Sequence, residues 1–325
     1  MKQIPGPRID RQVELHLMGD WGWANLHRVC GWLGSQVMER AAPGSRFAIW
    51  STPYAATETV YAVAERKVDM ALSTPAHHVP NAIAGIGQYE GRKLGPLLSL
   101  GTMPQTDSLL FAVDARLGIR SFDDIRRKKP KLHISTQSED GVNNIGFSVH
   151  RLLEAAGLPR AQIEEWGGSF VESDPPDQAC QAVRDGRANA IFYEAVMTPY
   201  WRNLAKDIPL SFIPFERHVL DALFQRYGWK TNVVPAGFLT GQDKAIEALD
   251  WSDWVTIVRP DFPDDVAYVM AWAACNTADI IERQYRHLPP QYSPLTYPLE
   301  PRKIATTAIP LHPGAERYYR EAGLI

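Results

Sequence analysis

The feature that most constrains this chain is an alternation of strand, loop and helix that runs, stops and then starts afresh. Residues 13–18 alternate apolar and polar like a strand, residues 19–25 form a Gly-containing loop, and Leu26, Val29, Cys30, Leu33 and Val37 then recur at helical spacing. A second strand is expected over 47–50. Ser51-Thr52-Pro53 supplies helix-start chemistry, Val60, Val63 and Ala64 an inward face, and residues 68–72 a third strand. Such an order implies parallel strands with right-handed crossovers, so the loops that follow the strands collect at one edge, where open α/β sheets bind ligands.

A further strand over 108–113 leads to a helix opening at Ser121, where Ser-x-x-Asp reads as a capping box. The alternation then restarts: a strand at 131–134, a polar loop at 135–144, an amphipathic helix over 145–156 closed by Gly157, a helix near 177–184 and a strand over 188–193. A strand at 255–258 and a helix from Asp264 to about Arg283 complete the first half. The expected fold is therefore two-lobed α/β, each lobe a mixed, mostly parallel sheet flanked by helices, with a ligand cleft between the lobes. Lobe I takes 1–112 and 214–325, lobe II takes 113–213, and the chain crosses near 109–114 and 210–216. A length of 325 residues suits two domains, and 45% hydrophobic with 22% charged residues is enough for two cores without disulfides or structural metal.

Several function classes are disfavoured. A net charge of -3 without a long basic run offers nothing to a phosphate backbone, so nucleic acid is not an expected partner; Arg126 to Lys129 closes a helix, where cations suit the dipole. Cys30, Cys180 and Cys275 are too far apart for a disulfide framework or a metal motif, and no metal or cofactor is expected. No stretch reaches the roughly 18 apolar residues of a membrane span, and the first residues lack a signal-peptide core. The protein is then periplasmic if a leader was removed, or cytoplasmic if Met1 is the native start.

Residues 310–324, from Pro310-Leu311-His312-Pro313-Gly314 to Ala322-Gly323-Leu324, closely resemble the closing segment of TAXI solute receptors of the TRAP transporter class. Gly118 to Ile125, Arg151 to Leu158 and Ala179 to Phe192 are similar to further family segments. The resemblance implies a type II periplasmic-binding-protein fold that closes on its ligand by hinge bending, and delivery of that small molecule to TRAP membrane subunits. The sequence departs from the family on the loops. Asp20 to His27 replaces a Gly-rich stretch ending in paired tyrosines, Trp50 to Tyr54 replaces a Thr-Gly-Gly-Ser-type loop, and Glu194 stands where glycine is common.

Helix amino ends present N–H groups that favour a carboxylate, and two such ends, after 22–25 and after 141–144, are expected at the ligand. Ser135, Thr136, Ser138, Asn143 and Asn144 would serve the second; ordinary capping is the competing reading. Trp21, Trp23, Trp50 and Tyr54 could form an aromatic wall or a cation cage, or simply fill a core. Asn25, Ser51, Thr52, Ser73, Thr74 and Tyr193 complete the strand-end contacts expected of a small organic ligand, carboxylate-bearing or aromatic. Asp20 and Glu194 are either helix caps or acids seeking a cation or proton, and His77 is a hydrogen-bonding partner. The leading expectation is a binding protein without turnover, because no catalytic fingerprint is legible. The alternatives are a cytoplasmic lyase or decarboxylase on the same scaffold, using Asp20, His77 and Glu194, and a ligand-gated sensory module.

Overall fold

Leu15 and Leu17 alternate with Glu14 and His16 along β1 (Glu14–Met18), so one face of the strand turns into a core while the other stays wet. The computed structural model describes residues 5–20, 22, 24–52 and 55–325. After β1, α1 (Asn25–Met38) lays Val29, Cys30, Leu33 and Val37 into the same core. The chain continues through β2 (Arg46–Trp50), α2 (Ala55–Ala64), β3 (Met70–Ser73), α3 (His78–Ala84) and β4 (Leu98–Met103). β1 pairs in parallel with both β2 and β3, as the crossover order requires.

The next stretch builds a separate compact unit, Asp107–Trp251, while the chain up to Thr106 and Ser252–Ile325 form the other. It opens with β5 (Ser108–Asp114), buried along its whole length, and α4 (Phe122–Lys128), whose capping box forms: the Ser121 hydroxyl accepts from Asp124 N at 3.0 Å. There follow β6 (His133–Thr136), α5 (Asn144–Ala155), α6 (Arg160–Glu165), β7 (Ser169–Glu172), α7 (Pro176–Arg184), β8 (Ala190–Tyr193), α8 (Pro199–Asp207), β9 (Leu210–Phe212), α9 (Arg217–Tyr227), β10 (Thr231–Val234) and β11 (Ile246–Asp250). The sheet runs β10-β11-β5-β8-β6-β7, with β9 also on β5.

Two expectations are corrected here. The chain leaves the second unit after Trp251 instead of near 210–216, and enters it between Thr106 and Asp107, slightly ahead of 109–114. The reason is pairing: Leu249 and Asp250 lie opposite Leu109 and Ser108, and Val219, Leu220 and Leu223 of α9 join the second core. Trp229 stacks on Tyr227 at 4.5 Å between ring centres and meets Phe147 edge-on at 6.0 Å, tying the same stretch to α5. Among the strands named, parallel pairing is also confined to the crossover strands, β1 to β3 in one unit and β6 to β8 in the other. β5 is antiparallel to β8, β9 and β11, so the second sheet is mixed, as expected, with antiparallel pairs the more numerous.

On the return leg, β12 (Trp254–Val258) inserts antiparallel between β3 and β4. The single helix expected from Asp264 to Arg283 is two, α10 (Asp264–Asn276) and α11 (Ala278–Glu282). Thr277 interrupts it: the buried hydroxyl donates to Ala273 O at 2.8 Å and accepts the Trp32 indole N–H at 2.9 Å, and this side-chain bonding competes with helix continuation. α12 (Pro301–Ile304) and α13 (Pro313–Glu321) close the chain. The closing segment is structural: buried His312 caps α13 by accepting Gly314 N, and Tyr319 donates its hydroxyl to Leu100 O at 2.7 Å. Among the described residues, no helix is long and apolar enough to cross a membrane.

Candidate functional site

In the first unit the parallel strands β1, β2 and β3 deliver their following loops to one sheet edge. Asp20 is buried there, its Oδ2 accepts Leu26 N at 2.9 Å in the first turn of α1, and its carbonyl accepts Thr52 N at 3.1 Å. Burial pushes its carboxyl above the usual range, while the α1 N–H groups hold it down in part. This is a helix cap. Gly19 permits it, because a Cβ there would stand 2.6 Å from His27 Cα. Thr52 is buried and bonds Glu58 in the first turn of α2, Ser51 is exposed, and Asn25 accepts the Tyr285 hydroxyl at 3.0 Å. Ser73 is buried at the end of β3, Thr74 half-buried, and the His77 ring lies 4.8 Å from that of buried His78.

The expected aromatic wall does not extend to Trp50. Its indole, 51% exposed, stacks on His16 and donates to His16 Nδ1 at 3.1 Å, so it lies back along the sheet and away from the strand-end loops. Trp21, Trp23 and Tyr54 lie outside the described residues.

The second unit gathers more chemistry. Because β5 runs antiparallel to β8, the start of β5 and the ends of β6, β7 and β8 share one edge. Gly146 lets the β6 loop meet α5, since a Cβ there would stand 2.0 Å from Ser138 O. Asp140 Oδ1 accepts Val142 N and Asn143 N at 2.9 Å each, and Asn143 Nδ2 donates to Ser138 Oγ at 3.2 Å and Asp140 Oδ2 at 2.8 Å. Asn144 is buried in the first turn of α5, whereas the Ser135 hydroxyl is spent on Ala179 O at 3.0 Å. Gln137 is fully buried and donates Nε2 to Asp174 Oδ1 at 2.5 Å; Tyr193 hydrogen-bonds the same amide and reaches Ser173 O at 3.4 Å. Burial, with Asp140 nearby, raises the Asp174 carboxyl to about 6.

Glu194 ends this edge in a carboxyl pair. It is hydrogen-bonded to Asp107, which also accepts Ser108 N at 2.7 Å, Ala195 N at 2.9 Å and Val196 N at 3.0 Å. Burial raises both carboxyls, Asp107 to about 6 and Glu194 well above its ordinary value, with the Asp107 charge adding to the second. Three backbone donors make Asp107 the member that keeps the charge, so Glu194 carries the shared proton. The pair fixes the turn at Ala195, whose φ of 64° is unusual for a residue with a side chain, and the Trp201 indole secures it by donating to Glu194 O at 2.7 Å.

Asp107, Gln137, Asp140 and Asp174 are absent from the sequence-based candidates. Asp140-Gly141 and Asp174-Pro175-Pro176 are turn signals that could have drawn attention to two of them. Asp107 and Gln137 carry no such signal, since only the strand pairing places them at the edge. Among the described residues no group of three His, Cys, Asp or Glu side chains is arranged to hold a metal ion.

With this geometry in hand, residues 40–323 match the model of the NMT1-like family. Among solved structures, MatC from Rhodopseudomonas palustris with bound malate is similar at 11% identity over 97% of this chain and 98% of that one, TM-score 0.52. PhnD1 from Prochlorococcus marinus in complex with methylphosphonate is similar at 12% identity over 96% and 99%, TM-score 0.47. The alkanesulfonate-binding protein SsuA from Xanthomonas axonopodis pv. citri, bound to MOPS, is similar at 12% identity over 87% and 82%, TM-score 0.45. The likeness is one of fold, the mixed α/β architecture of type II periplasmic binding proteins.

Proposed function

This chain belongs to the NMT1-like family, and from that premise we propose that it is a solute-binding protein that takes up one small organic molecule at its strand-end loops and returns it unchanged. The observation that carries this reading is a set of buried acceptors and hydroxyls at the end of the second sheet. Thr136 Oγ1, Gln137 Oε1 and Asn143 Oδ1 have no hydrogen-bond partner among the described residues. A buried polar atom left unpaired costs about 1–3 kcal/mol, and a ligand that pairs it recovers that cost. Three such atoms on consecutive elements, β6 and the amino end of α5, are better explained by an occupant than by a tolerated defect. That MatC holds malate on a similar fold is in keeping with this reading.

The finer reading is a TAXI-type receptor, exported to the periplasm and serving TRAP membrane subunits; its support is the resemblance of residues 310–324 and of the segments before them. The ligand carboxylate expected at the helix ends finds an acid near each, Asp20 on Leu26 N of α1 and Asp140 on Val142 N and Asn143 N just before α5. A panel of small organic acids, amines and neutral heterocycles, scored by thermal shift, tests the proposal when each stabilising mixture is also chromatographed after overnight incubation. Saturable stabilisation with the compound intact is expected. Its conversion to a product would replace the receptor by an enzyme.

A further inference from the structure

The strand-end segments of the second unit are acid-rich. Residues 133–144, 169–179 and 190–201 contain Glu139, Asp140, Glu172, Asp174, Asp177 and Glu194, and no lysine or arginine. Two of these acids are balanced from elsewhere: Glu139 by Arg151 at 2.6 Å and Glu172 by Arg160 at 3.4 Å. Asp140 is held by the Val142 and Asn143 N–H groups of the loop before α5, and Glu194 by its bond to Asp107. Asp177, in the first turn of α7, also lacks an ion-pair partner among the described residues, and Asp174 differs from it in its neighbour. Asp174 is half-buried, has no ion-pair partner among the described residues, and has the Gln137 amide against it.

That amide fixes which atoms are offered. With Nε2 donating to Asp174, Gln137 turns its oxygen the other way, and this fully buried Oε1 is without a partner among the described residues. Asn143 repeats the arrangement: Nδ2 is spent on Ser138 and Asp140, leaving buried Oδ1 unpaired. The groups presented are thus a carboxylate and two amide oxygens, which only accept, beside the Thr136 hydroxyl, which serves either way, and the complement of the three acceptors is a donor.

We infer that this edge takes the ammonium end of a small ligand, a protonated amine, with Asp174 as its counter-charge and Gln137 Oε1 and Asn143 Oδ1 as acceptors. The inference rests on the solute-binding reading and narrows its ligand class. A carboxylate here would face like charge and find no cationic side chain in these segments. A cation on Asp174 makes a charge-assisted hydrogen bond in a partly desolvated place, where it is strongest.

The test uses the full chain and matched probes: benzylamine against benzoate and putrescine against succinate, with Kd from titration calorimetry. Amines are expected to bind saturably and the matched acids not to. Asp174→Asn, which keeps shape and removes charge, should weaken amine binding roughly ten- to a hundredfold. The comparison of amines with acids on the unmodified protein stands even if that variant folds poorly. Binding of the acids alone, or amine binding unchanged in Asp174→Asn, overturns the inference and leaves the solute-binding reading intact. No binding by either class overturns both.

Discussion

Replacing Glu194 with glutamine removes the shared proton of the Asp107–Glu194 pair while keeping a donor toward Asp107. In the folded protein Glu194 holds its proton because the site is buried and Asp107 is charged beside it; in the unfolded chain it ionises in the ordinary carboxylate range. The folded state therefore carries one proton more above that range, and linkage makes stability fall as pH rises toward the raised Glu194 value, by up to about 1.4 kcal/mol per pH unit. The fall is present in the wild type and absent in Glu194→Gln. Urea unfolding followed by tryptophan fluorescence at pH 6, 7 and 8 measures it as the difference between the two proteins, which cancels the titrating groups remote from the pair. Hydrogen exchange over residues 190–200 localises it. Parallel pH profiles for the two proteins would refute the proton-sharing argument.

Asp107→Asn should be the opposite case. Its amide faces the backbone N–H groups of Ala195 and Val196, and a loss of about 3–5 kcal/mol is expected in the same urea assay. Asp20→Ala removes the α1 cap and should cost about 1–2 kcal/mol, with Asp20→Asn close to wild type, read by thermal melting. Gly146→Ala pushes a methyl into Ser138 O and should cost about 1–3 kcal/mol, with faster hydrogen exchange over residues 136–146. Thr277→Val leaves the buried Trp32 N–H without its acceptor and should cost about 1–3 kcal/mol, seen as a lower melting temperature.

Much of the fold was legible because it rests on local periodicity. β1, β2, α1, α5 and α7 fall where apolar spacing and capping residues put them, within a residue or two. The path of 214–251 was not, because β10 and β11 join β5 by antiparallel pairing across more than a hundred residues, and no local pattern encodes a partner that distant. The break at Thr277 was missed for a related reason, since it depends on a hydroxyl meeting Trp32 from another helix. At the candidate site, Asp20, Tyr193 and Glu194 lie at strand ends and Asn143 just before α5. The sequence left Asp20 and Glu194 open between cap and acid; burial against α1 decides the first, and Asp107, which reaches Glu194 only when β5 runs against β8, decides the second. Trp50 shows the converse, an aromatic at a strand end drawn back along the sheet by His16.

The most direct measurement is calorimetric titration of the intact chain with the strongest stabilising compound, followed by recovery and chemical identification of that compound. Retention of one equivalent per chain, recovered without alteration, is the predicted result. A heat that never saturates, or a recovered compound that differs from the one added, would contradict the assignment of these loops to the capture of a solute.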